Sequence, residues 1–431
     1  MKSSIGLMTE LYTHEVPYVF AEFKRLVGES YWVKRVKALK EHLRGQPSLR
    51  DFLREENRLA FLLADCSKVA FDNGGMLPLQ ATTRRELYPA FAFMAQTLSI
   101  INSADDKNAQ AIIARIRGGM KNPPDLRAMD LELHTANHFV SRGYHVEWPE
   151  MTKSGTFDLL VPDLGNGGLE VECKSISSDK GRSVHRRDAM DFFHLVGSDV
   201  KAACLSMDIG LAIVLTVPAR LPSQQAEKRE LAKRVTSALV GCRTQQFPDR
   251  VTVRISEFNP ADLNVVHNQG KPTVEQNDVD KVTGTVNQES MIIGTPAGGI
   301  VALVVQSAED DELLQSVFTT LSDSAKRQLT GQRAGIFFAG FADLTPEQMI
   351  ALAQHDVDAS NAVTALRQGV SRFLGNAGRD HVIGVSFLSQ SHLTETEPDV
   401  VTSRGSAYYF PRKESKFWHN DFEGLVRTFT T

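Results

Sequence analysis

The sequence is poor in cysteine and has no long apolar run, and both absences narrow what the protein can be. Its four cysteines stand far apart with no C-x-x-C pair, which argues against a zinc knuckle or a disulfide framework and suits a reducing compartment. They are Cys66, Cys173, Cys204 and Cys242. The longest apolar stretches, such as "LAIVL" and "IVALVV", are strand-sized and too short to cross a bilayer. The opening "MKSSIGLMTELYTHE" has no continuous apolar segment of the kind found in signal peptides. We therefore expect a cytoplasmic protein with no membrane partner.

Net charge is nearly absent as well. The formal charge is −4 over 431 residues, so no global basic field indicates a nucleic-acid partner, although a local basic patch can be sufficient. Hydrophobic residues make up 42% and charged residues 23%, which is typical of globular proteins, and the length predicts two or three domains. The sequence contains no P-loop motif, no G-x-G-x-x-G after a strand and no G-x-S-x-G. The sequence therefore contains no motif that would indicate a P-loop ATPase, a dinucleotide-binding enzyme or a serine hydrolase.

The pattern of apolar residues predicts an α/β chain in four segments. Residues 1–120 repeat apolar residues at three-and-four spacing and are predicted to be helical. Residues 121–262 read as helix, strand, hairpin, helix and strand, which predicts one compact α/β domain. Residues 263–290 are polar, so we expect a linker or an exposed hairpin and a domain boundary there. Residues 291–431 contain three strands separated by helices, which predicts a C-terminal βαβ-type domain with a parallel sheet.

The stretch "TFDLLVPDLGNGGLEVECKSIS" carries the strongest chemical signal. The two-residue period of the strand "LEVECKSI" turns Cys173 toward the core and gives the opposite face to Glu172 and Lys174. If the turn "VPDLGNGG" folds this strand onto the preceding one, Asp158 can meet Glu172 on the same face. Two carboxylates in contact repel each other unless a proton or a cation lies between them. The spacing therefore predicts a cation site.

Magnesium suits such a pair because it takes oxygen ligands, keeps several waters and is usually held by one or two carboxylates. Bound there, it can polarise a phosphoryl oxygen and activate a water, and Mn²⁺ is the expected substitute. Lys174 is close enough to orient that water or to neutralise developing negative charge.

A third carboxylate comes from the helix "LRAMDLELHTANHFVSRG". Glu132 lies on the flank of its apolar stripe, where a side chain can reach the edge of a sheet. His134 and His138 have the spacing of a metal-binding pair, but the helical wheel puts them on the opposite face. We expect them to be surface histidines.

A helix with an inward Glu, a strand with Asp, a turn and then E-x-K resembles the PD-(D/E)xK nuclease superfamily, over residues 122 to about 260. The resemblance implies a restriction-endonuclease-like mixed-sheet core and metal-dependent endonuclease activity. It implies that Asp158 and Glu172 bind Mg²⁺, that the backbone carbonyl of Cys173 is a further ligand, and that Lys174 assists the attacking water. Glu132 would support a metal or a metal-bound water. DNA is the favoured substrate, in restriction, foreign-DNA defence or repair, and self-association or an accessory protein is left open.

The segment after E-x-K is basic and departs from the family pattern. The superfamily often has a Gln or Lys on the next helix, whereas that helix begins "SVHRRD" here. Four basic residues close to the motif in sequence form a predicted phosphate-contacting patch. They are Lys180, Arg182, Arg186 and Arg187.

Two other interpretations remain open. The hairpin charges could be a solvated face of an antiparallel sheet, in a non-catalytic nucleic-acid-binding or protein-interaction module with a degenerate nuclease fold. A small-molecule enzyme could instead use the C-terminal sheet, which would need polar residues gathered at the strand ends after Ser307, Phe341 or Gln390. The nuclease hypothesis requires Asp158 and Glu172 to lie together with Lys174 beside them.

Overall fold

The computed structural model describes residues 8–45, 49–241, 243–268, 271–286, 288–390, 392–397 and 400–426, which form a mixed α/β protein. The helices are α1 (Val16–Phe23), α2 (Ser30–Gly45), α3 (Arg50–Glu56), α4 (Arg58–Asp72), α5 (Tyr88–Ser103), α6 (Asp106–Gly119), α7 (Pro123–Val140), α8 (Pro149–Thr152), α9 (Arg186–Ala203), α10 (Gln225–Val240), α11 (Gln276–Thr283), α12 (Leu313–Arg327), α13 (Pro346–Val357) and α14 (Ala365–Leu374). The strands are β1 (Met8–Tyr12), β2 (Leu159–Val161), β3 (Leu169–Ile176), β4 (Gly210–Val217), β5 (Gln245–Gln246), β6 (Thr252–Phe258), β7 (Val265–Asn268), β8 (Lys271–Val274), β9 (Glu289–Gly294), β10 (Ile300–Ser307), β11 (Ala334–Phe341), β12 (Val382–Leu388), β13 (His392–Glu397), β14 (Val400–Arg404) and β15 (Ala407–Pro411).

The chain divides into two compact units that do not follow the four predicted segments. The first unit contains the residues up to Lys40, from Glu56 to Lys180 and from Leu314 onward, and the second contains residues 41–55 and 181–313. The division runs through the predicted domain at 121–262. The physical reason lies in strand pairing, because β3 pairs with β11 whereas β4 pairs with β10.

The first unit is built on a five-stranded mixed sheet in the order β15-β12-β11-β3-β2. The three central strands β12, β11 and β3 are parallel, and β15 and β2 run antiparallel at the two edges. Neighbouring side chains of β11 point to opposite faces. The Phe338 ring meets Phe139 of α7 edge to face, while the Phe337 ring meets Phe373 of α14. Helices therefore cover both faces, and even the charged β3 lies in a buried environment.

The N-terminal region contains helices α1 to α6, as its apolar periodicity predicts, but β1 precedes them as a strand. β1 pairs with β14, and β14 pairs with β13, to form a small antiparallel sheet in the first unit. α5 and α6 pack beside α7. This arrangement brings a helix of the predicted N-terminal segment next to the helix that carries Glu132.

The second unit has its own five-stranded sheet in the order β5-β6-β4-β10-β9. β4 and β10 form its parallel centre. Both strands carry buried apolar side chains on each face, as is typical of parallel strands covered on both sides. A hairpin, β7–β8, does occur in the polar segment 263–290. α11 follows it and buries Val279 against Val214 and Val304, so this segment is part of the second unit.

The predicted C-terminal parallel sheet is present only in part. β11 and β12 are parallel neighbours joined through α13 and α14, which is the expected βαβ unit. The third predicted member, β10, belongs to the sheet of the second unit. Ser307, at the end of β10, and Phe341, at the end of β11, thus end strands of different sheets. Phe341 and Gln390, in contrast, lie at or just beyond the ends of the neighbouring strands β11 and β12 of one sheet.

Candidate acid cluster

In the hairpin β2–β3, the strand β2 is shorter than β3, so part of the β3 edge is not paired with β2. Leu159 pairs with Val171 and Val161 with Leu169 across a turn that includes Gly165 and Gly167 at positive φ. β2 begins at Leu159, whereas β3 continues to Ile176. Among the described strands, none therefore lies beside the backbone of β3 after Val171 on the β2 edge.

Asp158 lies at this point and takes the place of the missing strand. Its buried carboxylate accepts a hydrogen bond of 2.7 Å from the backbone N–H of Cys173. A buried N–H at a sheet edge needs such an acceptor. Because the N–H and C=O of one strand residue point to the same side, the Cys173 carbonyl faces the Asp158 side of β3 as well.

Glu172 is fully buried on β3, in register with Phe337 of β11. Its Oε1 accepts a hydrogen bond from the ammonium of Lys174, as the E-x-K spacing predicts. Its Oε2 is buried and has no hydrogen-bond partner among the described residues. Burial raises the pKa of Glu172, and the nearby Asp158 charge raises it further, whereas Lys174 opposes both effects. An unpartnered oxygen of a buried carboxylate is costly and marks a place for a proton or a cation.

Lys174 stays charged in this environment. Burial lowers its pKa, but the charges of Glu172 and Asp158 outweigh burial and leave the pKa above its ordinary value. About a fifth of the side chain is exposed, at 22%. Lys174 can therefore donate hydrogen bonds and stabilise negative charge, but as a protonated ammonium it is unsuited to act as a general base.

Glu132 reaches the same cluster from α7, as predicted, but it is already paired. Arg115 of α6 donates two hydrogen bonds to it, from Nη1 to Oε2 at 2.5 Å and from Nη2 to Oε1 at 2.7 Å. Burial raises the pKa of Glu132, and the Asp158 charge adds to this effect, with Arg115 opposing. Burial also raises the pKa of Asp158. The three acids thus share one poorly solvated environment.

Two members of the cluster were not found by sequence reasoning. Arg115 stands before the predicted domain and carries no motif spacing toward E-x-K. Glu150, on the single-turn helix α8, is half-exposed, and its Oε2 lies 3.9 Å from Arg115 Nη1. Its charge is among those that raise the pKa of Asp158. Only the packing of α6 against α7 and α8, and of α8 against β2, reveals them.

The cluster fits a divalent cation held by few protein ligands. Four carboxylates face two cationic side chains, so a fully ionised cluster carries an excess of two negative charges. Asp158, the free Oε2 of Glu172 and the Cys173 carbonyl supply the hard oxygen donors that Mg²⁺ prefers. Within the described ranges, no group of three or more His, Cys, Asp or Glu side chains is arranged to hold a metal ion. A two-carboxylate site with bound water does not require such a group.

The predicted basic patch is divided between the two units. Lys180 ends its stretch of the first unit, whereas the three arginines belong to the second. Arg182 forms ion pairs with Glu289 and Asp311, and Arg186 pairs with Glu55 at 2.9 Å. Arg187 is exposed. Arg182 and Arg186 therefore already have acidic partners inside their own unit.

The expectation that His134 and His138 lie on the surface is wrong for His138, whereas His134 is half-buried. His138 is 4% exposed, and its Nε2 lies 2.8 Å from the carbonyl oxygen of Leu425. Nδ1 of His134 is 2.8 Å from the Gln96 amide. α7 is buried on several sides, so a one-sided helical wheel does not describe it.

Comparisons with protein-family models, curated proteins and solved structures gave no match. None of the helices in the described ranges is long and apolar enough to cross a membrane.

Proposed function

We propose that this chain is a metal-dependent nuclease that hydrolyses phosphodiester bonds of nucleic acid, with DNA as the favoured substrate. The observation that carries the proposal is the buried Glu172: its Oε1 is paired with Lys174, its Oε2 has no hydrogen-bond partner among the described residues, and the nearby Asp158 charge raises its pKa. Burying a charged group without compensating charges or hydrogen bonds costs free energy. Acids with pKa values perturbed in this way cluster at functional sites.

Each side chain then has a definable role. Asp158 and Glu172 hold Mg²⁺ or Mn²⁺ together with the Cys173 carbonyl. A cation bound there supplies polarisation of the phosphoryl oxygen and an activated water. Lys174 remains protonated, so it donates a hydrogen bond to the attacking water or to the phosphoryl oxygens as negative charge develops. Cys173 contributes its backbone only, since burial holds the pKa of its thiol well above the ordinary value.

The direct test is cleavage of double-stranded DNA, single-stranded DNA and RNA by the pure full-length protein with Mg²⁺ or Mn²⁺. Glu172→Ala and Lys174→Ala are compared with Glu230→Ala and Lys233→Ala, because Glu230 and Lys233 form an exposed Glu–Lys pair at 3.3 Å elsewhere in the chain. We expect a metal-dependent activity that falls by about 100-fold or more in the first two variants and is unchanged in the controls. Nucleic-acid binding without cleavage, retained in all four variants, would instead support a non-catalytic binding module.

A further inference from the structure

The three buried acids of the cluster do not have equal capacity to bind a cation. Both oxygens of Glu132 accept hydrogen bonds from one guanidinium, and this parallel arrangement is the strongest that a carboxylate and an arginine form. Glu172, in contrast, keeps one oxygen without a hydrogen-bond partner among the described residues. A cation at Glu132 would have to share both oxygens with the positively charged Arg115, whereas Oε2 of Glu172 accepts no hydrogen bond from a cationic side chain in the described part of the chain.

Arg115 is in turn placed to do more than neutralise Glu132. Its two hydrogen bonds use two of the five N–H groups of the guanidinium, and 29% of the side chain is exposed. It extends from the buried Glu132, at 3% exposure, to Glu150, at 47%. The guanidinium therefore extends from the buried Glu132 toward the half-exposed Glu150, and it keeps N–H groups that can donate hydrogen bonds to a ligand.

We propose that Arg115 contacts a phosphate oxygen of the nucleic acid bound at this site, and that Glu132 is a positioning residue that holds the guanidinium and is not a metal ligand. The inference rests on the proposed function. A guanidinium with one edge fixed by a carboxylate presents its other edge in a defined direction, which suits bidentate phosphate recognition. Arg115 thus provides a positive charge on the Glu132 side of the cluster, and Lys174 provides one on the Glu172 side.

Two binding measurements on the full-length protein separate these roles. Calorimetric titration with Mn²⁺ compares Glu132→Gln with Asp158→Asn. We expect Glu132→Gln to keep the wild-type affinity to within about threefold and Asp158→Asn to lose tenfold or more, about 1.4 kcal/mol or greater. Glu132→Gln losing as much affinity as Asp158→Asn would overturn the inference while leaving the nuclease proposal standing.

The second measurement is DNA binding in Ca²⁺ as a function of salt. Arg115→Gln should weaken binding and lower the salt slope by about one, with Mn²⁺ affinity unchanged. The matched control is Arg25→Gln, because Arg25 also donates two hydrogen bonds to one carboxylate, from Nε and Nη2 to Glu22, at an exposed position. Equal salt slopes for wild type and Arg115→Gln would overturn the inference.

A folding defect in Arg115→Gln would show in its thermal unfolding, and Arg115→Lys then carries the test. Lysine keeps the charge beside Glu132 but lacks the fork, so cleavage should fall about tenfold or more with Mn²⁺ affinity retained. Unchanged cleavage would overturn the inference. A wild-type protein that neither binds Mn²⁺ nor cuts would overturn the nuclease proposal itself, a result distinct from either variant-specific outcome.

Discussion

The carboxylate of Asp158 accepts the backbone N–H of Cys173 at 2.7 Å, so one side chain completes the hydrogen bonding of β3 and forms part of the acid cluster. Two substitutions separate these contributions. Asp158→Asn keeps an oxygen acceptor and removes the charge, whereas Asp158→Ala also leaves a buried N–H unpaired. We expect both to lose Mn²⁺ affinity, but only Asp158→Ala to lose about 1–3 kcal/mol of unfolding free energy relative to Asp158→Asn. Equal stability of the two variants in urea denaturation would show that this hydrogen bond contributes little.

Metal binding should release protons. Burial raises the pKa of both Glu172 and Asp158, and the nearby Asp158 charge raises the pKa of Glu172 further, so each binds a proton more tightly than a free acid does. A cation needs the ionised form, and affinity should therefore increase with pH until both raised values are passed. Calorimetry in two buffers of different ionisation enthalpy measures the release, and a Glu172→Gln protein should release fewer protons than wild type. Heats that do not depend on the buffer would contradict the prediction.

The same raised pKa values predict how the metal-free protein responds to pH. An acid whose pKa is higher in the folded state than in the unfolded state stabilises the fold fully below its unfolded pKa. That contribution is lost as pH rises through the folded pKa. We expect Glu172→Gln to flatten the decline of thermal stability on the alkaline side. A decline of the same steepness in wild type and Glu172→Gln would assign it to other groups.

His138 predicts an effect in the opposite direction. Burial lowers its pKa to about 3 because the charged ring would lose its water, and the Arg142 charge adds to this effect, whereas the Leu425 carbonyl opposes it. The unfolded chain binds this proton near pH 6.5, so stability falls as pH drops below that value, by about 2 kcal/mol between pH 7 and pH 5. Urea denaturation of His138→Gln should show this much less dependence. His355→Gln is the control, because the exposed His355 also contacts a backbone carbonyl, at 3.0 Å.

The hairpin turn offers a matched pair of glycines. Gly165 and Gly167 both have positive φ, so alanine at either position costs about 1–2 kcal/mol in backbone strain. A Cβ at Gly165 would also lie 2.5 Å from the Phe422 ring, whereas nothing lies within 4 Å of one at Gly167. Gly165→Ala should therefore be the more destabilising by about 1–3 kcal/mol in thermal or urea unfolding. A smaller or reversed difference would mean that the Phe422 ring yields easily.

The fragment 121–262 tests how the acid cluster is supported. It contains β2 and β3 but lacks β11, the parallel neighbour of β3 along its whole length. It also separates β4 from β10. We expect no cooperative thermal transition from this fragment and a clear one from the full chain. A cooperative transition would show that β3 does not need β11.

Local patterns in the sequence identified the hairpin and its charges. The strand period gave Glu172 and Lys174 a common face, and the Asp158 side chain does lie against β3, because alternation and a short turn depend only on neighbouring residues. The face was nevertheless expected to meet either water or a substrate, and Glu172 is fully buried. Which elements cover a strand depends on residues far along the chain.

Sequence alone therefore determined the hairpin, the E-x-K pair and the helix that presents Glu132. Only the tertiary structure decided that β11, more than 150 residues later, pairs with β3, and that Arg115 donates hydrogen bonds to both oxygens of Glu132. Strand partners are chosen by burial of whole sheets, and ion pairs between helices follow from how those helices pack. Neither leaves a periodic signal in the sequence, which is why the division into two units and the Arg115–Glu132 pair came from the fold.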